Sequence, residues 1–459
     1  MGLMDALTPV FSILKNTEGH PEPQTLRESW VSIHLQALLH NAEKLVQTLP
    51  NHARLLPVIK ANAYGHGAYE VATTLWEKYG AKTIARFGVA TLPEALALQS
   101  SEKPFPVLMM NMPSYQALTH DTHTKQQLQS EGVAFTVFRW EHLEWLETLA
   151  SSCVHHPWHV HVKVNTGMHR LGIHWEEASA FCQKVYALHQ AGVLVWEGLY
   201  THFAMGGEPT ERWLQLGRFG RLLTQLQTLS IPYPTMCHAS NTDSWIALQH
   251  DRATQVPDAA TMTQDTLKGL ACLNVYRVGI ALYGYEDEGA LEALGLRPVM
   301  GVYACINQVQ YVALGEGVSY DYRFKVSLNA PCGIWIGTLP LGYADGVHRQ
   351  LSGQMHVQIN GIMCPQVGTI TMDQLMIDLS PLLQAFPETP LQSYLGTRVT
   401  LIAHDPPESQ RAFHTPFPEP SLATWATQVQ SIPYELMCSL NARLEKVFIP
   451  VCTRDTKES

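Results

Sequence analysis

The fold of this chain follows from three consecutive stretches: VLVWEGLYTHF (residues 193–203), ERWLQLGRFGRLLTQLQTL (211–229) and YPTMCHA (233–239). The first and last are short apolar runs of the kind that form buried strands, and the middle one has the amphipathic spacing of a helix. A strand, a helix and a second strand in this order indicate a parallel sheet with helices packed on its faces.

The same alternation extends from about residue 28 to residue 285. Six further apolar runs complete the set of predicted strands: LLPVIK (55–60), RFGVA (86–90), PVLMMN (106–111), VAFTVF (133–138), WHVHVKVN (158–165) and NVYRVGIA (274–281). Eight strands separated by helices predict a closed (β/α)₈ barrel of the TIM type. An open doubly wound sheet shows the same alternation, but no strand here opens into G-x-G-x-x-G, which disfavours a dinucleotide-binding domain.

The sequence changes character after about residue 290, where strands and turns replace most of the helical patterns. This indicates a separate, mostly β domain. The polar stretch 250–268 lies between two barrel strands, and we interpret it as a surface insertion. The predicted division has three parts: an N-terminal extension over 1–26, a barrel over 27–287 and a C-terminal β domain over 288–459.

Composition excludes several classes of protein. The chain has 459 residues, of which 46% are hydrophobic, so it can build a core and is not a disordered chain. Thirty Lys and Arg against 40 Asp and Glu give a net charge of −10, which argues against a nucleic-acid surface. No apolar run approaches the length of about 18 residues that a membrane span needs. The N-terminal stretch lacks a basic leader, so we expect a cytoplasmic protein.

The cysteines also indicate a cytoplasmic protein. Their number, nine, is odd, and no C-x-x-C pair occurs. This predicts free thiols in a reducing compartment rather than a disulfide framework or a zinc ribbon, and no metal site is expected.

Chemistry in a barrel enzyme gathers at the C-terminal ends of the strands. The polar or loop-forming residues at those positions are Lys60, Lys163, Arg170, Thr201, His202, His238, Asn241, Thr242, Arg277, Gly279 and Ile280. They offer a lysine nucleophile, Gly and hydroxyl groups suited to a phosphate, and several fixed cations, but no acidic cluster. Lys60 is the most informative of them, because an apolar strand ends there, although a lysine at a barrel rim is the simpler interpretation of this residue taken alone.

The stretch VIKANAYGHG (58–67) closely resembles the cofactor-lysine motif of the bacterial alanine racemases, a family that uses pyridoxal phosphate. Further blocks resemble the family in the same order: FGVATLPEAL (87–96), VKVNTGMHRLG (162–172), EGLYTHFA (197–204), YRVGIALYG (276–284), GEGVSY (315–320), TLPLGYADG (338–346), VGTITMDQLMIDL (367–379) and IPYEL (432–436). They cover roughly residues 27–445. The resemblance implies a pyridoxal-phosphate barrel followed by a β domain, in agreement with the strand pattern.

The resemblance also implies roles for individual residues. Lys60 binds the cofactor and is one of two catalytic bases, and Tyr320 is the other, on the opposite face of the substrate α-carbon. Arg277 faces the pyridine nitrogen. The remaining cofactor contacts are Tyr64, His202, Asn241, Thr242, Gly279, Ile280 and Tyr434. The substrate contacts are Arg170, Met372 and Asp373, supported by Lys163, His238 and Tyr343. Lys163 matches a lysine that is carbamylated in many members.

The implied reaction is the interconversion of L-alanine and D-alanine, which supplies D-alanine for peptidoglycan. It implies a homodimer with shared active sites, in which Tyr320 and Met372 come from the other subunit. Two alternatives stay open: a serine or broad-specificity amino-acid racemase, and a non-catalytic protein that binds pyridoxal phosphate. A decarboxylase on this barrel, or an aminotransferase, would prefer an acidic residue at the ring nitrogen, so Arg277 argues against both.

A few positions depart from the family pattern. Asn165 replaces the usual Asp of its block, His169 stands where the family has Gly, and Thr242 replaces the usual Ser while keeping its hydroxyl. These changes bring substrate range and loop geometry into question more than the reaction itself.

Overall fold

The computed structural model describes residues 25–99, 104–119, 129, 132–150, 157–254, 262–285, 294–404, 420–440 and 442–451. The chain forms two compact units. We call Leu39–Leu296 the barrel unit, and Met1–Leu38 together with Arg297–Ser459 the β unit.

The strands in chain order are β1 (Ser29–His34), β2 (Arg54–Pro57), β3 (Phe87–Val89), β4 (Val107–Met109), β5 (Ala134–Val137), β6 (Trp158–Asn165), β7 (Ile173–His174), β8 (Leu194–Tyr200), β9 (Met236–His238), β10 (Val275–Val278), β11 (Met300–Cys305), β12 (Gln308–Val312), β13 (Gly317–Val318), β14 (Phe324–Lys325), β15 (Ile334–Leu339), β16 (His356–Ile359), β17 (Ile362–Val367), β18 (Leu375–Asp378), β19 (Arg398–Ile402) and β20 (Glu445–Ile449). The helices are α1 (Leu35–Gln47), α2 (Lys60–Tyr64), α3 (Ala68–Thr83), α4 (Leu92–Gln99), α5 (Tyr115–Thr119), α6 (Trp140–Ala150), α7 (Ala178–Gln190), α8 (Pro209–Thr228), α9 (Thr242–Thr254), α10 (Gln264–Ala271), α11 (Ser380–Ala385), α12 (Leu422–Val429) and α13 (Pro433–Ser439).

Eight parallel strands close into a ring in the barrel unit. Six are neighbours in one sheet, in the order β3-β4-β5-β6-β8-β9, and β10 pairs in parallel with β2. A parallel bridge between Val58 and Gly88 joins β2 to β3. Asn274 joins β10 to β9, because its backbone N–H donates to the Cys237 carbonyl and its side-chain oxygen accepts from the Cys237 N–H. The predicted (β/α)₈ barrel is confirmed. Seven of the eight predicted runs contain a barrel strand whole, and the run 55–60 overlaps β2, which begins one residue earlier, at Arg54.

Strand β6 shows how this barrel differs from a purely apolar one. Its residues alternate, and alternate residues of a strand face opposite sides of a sheet. Trp158 and Val160 are apolar, whereas His161 and Lys163 share the other side, and all four are buried. Parallel strands are normally buried on both faces and apolar throughout. Strand β6 therefore buries two titratable side chains, His161 and Lys163, on one of its sides.

The β unit is built on a nine-stranded sheet in the order β12-β15-β18-β17-β16-β19-β11-β1-β20. Strand β1 is the last but one in this order and lies between β11, to which it is antiparallel, and the edge strand β20, to which it is parallel. The predicted barrel range of 27–287 therefore differs from the structure at its N-terminal end, where residues up to Leu38 belong to the β unit. Local composition cannot reveal this, because β1 finds its partners more than 260 residues away along the chain. Most of the predicted extension 1–26 lies outside the described residues.

The stretch 250–268 is partly helical rather than a plain surface loop. It begins within α9 and ends within α10, and residues 255–261 lie outside the described part of the chain. Helix α10 packs closely against α8, where a Cβ placed on Gly220 would lie 1.7 Å from the Asp265 carbonyl oxygen. A Cβ on Gly269 would similarly lie 2.6 Å from the Leu216 carbonyl oxygen. Glycines at both positions thus allow the two backbones to approach.

Two general expectations concern cysteines and membranes. Within the described ranges, the cysteines at positions 182, 237, 272, 332 and 364 are free thiols, as predicted. Across those same ranges, no helix combines the length and the apolar character that crossing a membrane would require.

Candidate active site

Lys60 lies just after barrel strand β2 and begins an unusual turn. Ala61, Asn62, Ala63 and Tyr64 all adopt positive φ angles of 51° to 55°, which is a left-handed turn. Such backbone costs roughly 1–2 kcal/mol per non-glycine residue, so it persists only where the surroundings hold it. Glu94 provides one such restraint, since its carboxylate accepts hydrogen bonds from the backbone N–H groups of Ala61, Ala90 and Thr91.

The left-handed turn brings Tyr64 to the end of β10. A Cβ placed on Gly279 would lie 2.6 Å from the Tyr64 hydroxyl oxygen, so only glycine permits this contact. Ile280 begins a one-turn 3₁₀ helix, Ile280–Tyr283, immediately afterwards. The structure therefore brings together Tyr64, Gly279 and Ile280, as the proposed phosphate site requires.

The end of β9 adds a helix N-terminus to this region. Thr242 is the first residue of α9 and is buried. The side-chain oxygen of Asn241 accepts from the Ser244 N–H at 3.0 Å, so this residue caps the helix. The buried Ser240 hydroxyl oxygen has no hydrogen-bond partner within the described residues. A helix N-terminus with an unused buried hydroxyl is a favourable place for an anion.

Arg277 is buried in the barrel and surrounded by uncharged acceptors. Its guanidinium donates to His238 Nδ1, to His202 Nδ1 at 3.1 Å and to the carbonyl oxygens of Thr201 and Ala239 at 2.8 and 3.0 Å. Its charge also lies 5.1 Å from the centre of the Tyr200 ring. Burial lowers the pKa of Arg277 to about 10, which still leaves it charged at neutral pH.

Several cations share the mouth of the barrel. Burial lowers the pKa of the Lys163 amine to about 7, and neighbouring cations add to this effect: Arg277, Arg170 and Lys60. Burial and the same group of cations hold the pKa of His202 well below its usual value, so His202 is neutral. Within the described residues, no carboxylate contributes to either shift. The site therefore has an excess of positive charge, which favours an anionic ligand.

The loop that carries Arg170 is organised by two of the departures from the family pattern. The Asn165 side-chain oxygen accepts from the backbone N–H groups of Gly167 and His169, and its amide nitrogen lies 3.1 Å from His169 Nδ1. His169 adopts a φ of 55°, a conformation that favours glycine. The contact between these two side chains compensates for the loss of glycine at this position.

The β unit holds the remaining predicted site residues. Tyr320 lies in a tight 3₁₀ turn, Tyr320–Tyr322, and its side chain is 68% exposed. The Thr369 hydroxyl donates to the Tyr320 carbonyl, and the Ser319 hydroxyl donates to the Thr369 carbonyl. These bonds fix the turn to the loop that follows β17.

The loop that follows β17 also positions other predicted site residues of the β unit. Tyr343 and Ala344 donate backbone hydrogen bonds to Thr371 and Met372, and the side chains of Tyr343 and Met372 are both exposed. The Asp373 carboxylate accepts from Arg443 at 2.6 Å, so its place in the structure is an ion pair that supports the turn. Tyr434 is half-buried in α13.

The barrel residues fit pyridoxal phosphate, the cofactor that the resemblance implies. A phosphate would meet the α9 N-terminus, the unused Ser240 hydroxyl and the backbone around Gly279. Lys60 supplies the amine. Arg277 would place a cation at the ring nitrogen, because its hydrogen-bond partners in the described part of the chain are all uncharged.

Sequence reasoning missed several polar residues behind this site. His161, Glu197 and Tyr200 are buried or nearly buried in the barrel, and Arg86 pairs with Glu197 at 2.8 Å. A signal was available, because Glu197 is a charged residue inside an apolar strand and His161 lies two residues before Lys163, on the same side of β6.

Comparison with known proteins agrees with this architecture. Residues 33–287 match the family described as alanine racemase, N-terminal domain, and residues 299–448 match alanine racemase, C-terminal domain. The chain is 33% identical to an alanine racemase of Nostoc over 92% of this chain and 96% of that protein. It is 32% identical to an alanine racemase of Geobacillus stearothermophilus over 92% of this chain and 94% of that protein.

Solved structures lead to the same family. The crystal structure of alanine racemase from E. faecalis superimposes with a TM-score of 0.72 at 30% identity, covering 92% of this chain and 98% of that one. The crystal structure of the Bacillus anthracis enzyme with bound L-Ala-P superimposes with a TM-score of 0.71 at 27% identity, covering 93% of this chain and 96% of that one. The two domain matches cover most of the chain in the order in which the barrel and the β unit occur. The chain therefore belongs to the alanine racemase family.

Proposed function

We propose that this protein interconverts L-alanine and D-alanine with pyridoxal phosphate bound in the barrel unit. The relatives named above are alanine racemases, and one solved relative holds L-Ala-P. When bound, the cofactor supplies an electron sink that acidifies the Cα–H of an amino acid. The reaction would take place in the cytoplasm and would supply D-alanine for peptidoglycan.

The observation that carries this proposal is the surrounding of Arg277. Its hydrogen-bond partners within the described residues are all neutral, so it remains a cation, and we assign it to the ring nitrogen of the bound cofactor. An arginine does not protonate the ring nitrogen, which keeps the electron sink weak. A weak sink favours rapid return of the proton to Cα, as racemisation requires, over the longer-lived carbanion that transamination exploits.

Proton transfer then falls to two bases. Lys60 lies at the barrel mouth beside Lys163 and Arg170, and we assign it the proton on one face of Cα. Tyr320 is assigned the proton on the other face. Two bases on opposite faces can invert Cα without turning the substrate over, and each is expected to contribute as a general acid or base. The cationic Arg170 is suited to the substrate carboxylate.

His202 supports the second base. Its Nδ1 accepts from Arg277, which has no acceptor to offer, so the proton of neutral His202 must be on Nε2. This N–H is a donor, and a donor stabilises a phenolate. We assign it to the partner subunit's Tyr320.

The exposure of the β-unit residues supports a shared active site. Tyr320 is 68% exposed and Met372 is 52% exposed in the isolated chain. Large exposed side chains held on tight, hydrogen-bonded turns are suited to cover another surface. We propose a homodimer in which each β unit completes the barrel site of its partner.

Lys163 is expected to carry a carbamate. Carbon dioxide reacts only with a neutral amine, and the pKa of Lys163, about 7, makes that form available at neutral pH. An ordinary lysine has a pKa of about 10.4 and is almost fully charged. With ¹³C-labelled bicarbonate, a carbamate NMR signal should grow as the pH rises through about 7.

The signal should vanish in Lys163→Ala and persist in Lys184→Ala, a partly exposed surface lysine that pairs with Glu147. A signal that survives Lys163→Ala would contradict the assignment.

The proposed reaction is tested by the loss of optical activity of L-alanine with purified protein and pyridoxal phosphate, against the cofactor alone. We expect decay to a racemic mixture, and the same end point from D-alanine. L-serine tested in parallel distinguishes a broad-specificity racemase. If neither amino acid racemises although the cofactor is bound, the protein is a binding protein and the proposal is wrong.

A further inference from the structure

A continuous file of buried polar groups crosses the inside of the barrel below Arg277. His238 Nδ1 accepts from the Arg277 guanidinium, and His238 Nε2 lies 3.0 Å from His161 Nδ1. His161 Nε2 lies 3.6 Å from Glu197 Oε2. Glu197 in turn pairs with Arg86 through two parallel hydrogen bonds of 2.9 Å. The file thus joins the site to Arg86, which immediately precedes strand β3 at the opposite end of the barrel.

The chemistry of the groups fixes the tautomer of both histidines in the file. A guanidinium only donates, so His238 Nδ1 must accept and its proton is on Nε2. His238 Nε2–H then donates to His161 Nδ1, which places the His161 proton on Nε2 as well. His161 Nε2 is buried and has no closer acceptor within the described residues, so its N–H points to the Glu197 carboxylate. All donors therefore face one way, from the cation to the anion.

Strand β8 is shaped to accept this file. Val160 pairs with Trp196 and His161 pairs with Gly198, so Glu197 is the extra residue of a β-bulge. A bulge re-aims a side chain, here a carboxylate into a barrel that otherwise gathers cations. A Cβ placed on Gly198 would lie 2.0 Å from His161 Nδ1, so the imidazole occupies the space that any other residue would fill.

Arg277 and Glu197, at either end of the two histidines, carry opposite charges. Among the residues that the structure describes, no carboxylate hydrogen-bonds to Arg277. Although burial opposes it, the nearby rings of His159 and His161 and the charge of Arg86 keep the pKa of Glu197 well below its usual range. Glu197 is therefore an anion. Burial keeps the pKa of both His161 and His238 below the usual value, so the two imidazoles between the charges are neutral.

We propose that Glu197 and His161 are positioning residues that orient Arg277 through His238, with Glu197 acting as the remote counter-charge of that guanidinium. The inference rests on the proposed role of Arg277 at the cofactor ring. It adds residues from the far side of the barrel to the machinery that keeps a cation, rather than an acid, at the ring nitrogen. The bulge at Glu197 and the glycine at position 198 are the parts of β8 that make this arrangement possible.

The first test reads the histidine tautomers directly and needs no turnover. Long-range ¹H–¹⁵N spectra of the ring nitrogens are recorded on the full-length protein with bound cofactor and no alanine. The signals are assigned with His161→Leu and His238→Leu. We expect both rings to be neutral with the proton on Nε2. A proton on Nδ1 of either ring would overturn the proposal, whether or not the protein racemises alanine.

The second test measures kinetics and the visible absorption spectrum of the bound cofactor. Glu197→Gln alone leaves Arg86 as a buried unpaired cation, so the decisive variant is Glu197→Gln with Arg86→Met, which removes both charges. We expect kcat to fall roughly 10–100-fold, as for other partners that orient a functional side chain, with a much smaller change in KM. The absorption spectrum should shift in parallel.

Two matched controls separate positioning from a general effect on the barrel. His159→Gln changes a residue whose ring lies 3.8 Å from the same carboxylate but outside the file, and it should lower kcat and shift the spectrum much less than His161→Leu does. Gly198→Ala should reproduce His161→Leu by displacing the ring, whereas Gly207→Ala, where a Cβ meets nothing within 4 Å, should not. If the double variant and His161→Leu lower only the unfolding temperature and keep the wild-type kcat and spectrum, the file is structural and the proposal is wrong.

Discussion

Replacement of Lys60 with alanine should abolish racemisation in both directions. A single positioned base contributes roughly 10²–10⁴-fold to rate. We assign Lys60 both the amine that binds the cofactor and one of the two bases, so the loss should exceed about 10⁴-fold. The rest of the site should survive, because Glu94 anchors the left-handed turn through the backbone of Ala61 and not through the lysine side chain.

The measurement is the rate of loss of optical activity of L-alanine and of D-alanine. A second readout is borohydride reduction of the bound cofactor followed by peptide mapping, which should label Lys60 in the wild type and no lysine in the variant. Lys82→Ala is the matched control, since Lys82 is an exposed lysine in the last turn of α3. Substantial racemisation by Lys60→Ala, or reductive labelling at another lysine, would refute the assignment.

The second large effect is expected for Tyr320→Phe, which should lower the racemisation rate by roughly 10²–10⁴-fold, the contribution of one general base. The substitution removes only the hydroxyl. The turn is held by backbone and neighbouring side-chain bonds to Thr369, so the fold of the β unit should not change. Because Lys60 remains, one face of Cα can still exchange its proton.

This leads to an asymmetric result that racemisation rates alone do not show. In deuterated water, Tyr320→Phe should still exchange the α-hydrogen of one enantiomer and should nearly lose exchange of the other. Tyr322→Phe is the matched control, because Tyr322 lies in the same turn and is similarly exposed, at 61%. Equal loss of exchange for both enantiomers would contradict a two-base mechanism, and an unchanged rate would remove Tyr320 from the site.

Much of the fold was predictable because it follows from hydrophobic patterns within short segments of the sequence. Each of the eight predicted apolar runs overlaps a barrel strand, since strand length and helix amphipathicity are properties of short segments. The place of β1 was not predictable in this way. Its partners β11 and β20 lie far along the chain, and pairing of distant strands leaves no trace in local composition.

The candidate site likewise has one part that short motifs predict and another part that depends on tertiary contacts. The motifs point to Lys60, Arg277 and Tyr320 because these residue types stand in characteristic short contexts. The role of Glu197 was invisible, since it depends on a bulge in β8 and on a glycine that admits the His161 ring. The mutual contact of Asn165 and His169 was hidden too, although both were noticed as departures.

The sequence by itself therefore predicted the barrel, the β domain and the family, and it led us to propose the residues that would meet a cofactor and a substrate. The tertiary structure alone decided how the buried charges are balanced. Arg277 is separated from Glu197 by two imidazoles whose protons must point one way, and this order exists only when strands β6, β8, β9 and β10 lie side by side. The physical reason is that a buried charge is stabilised by whatever the fold places around it, and those neighbours come from distant parts of the chain.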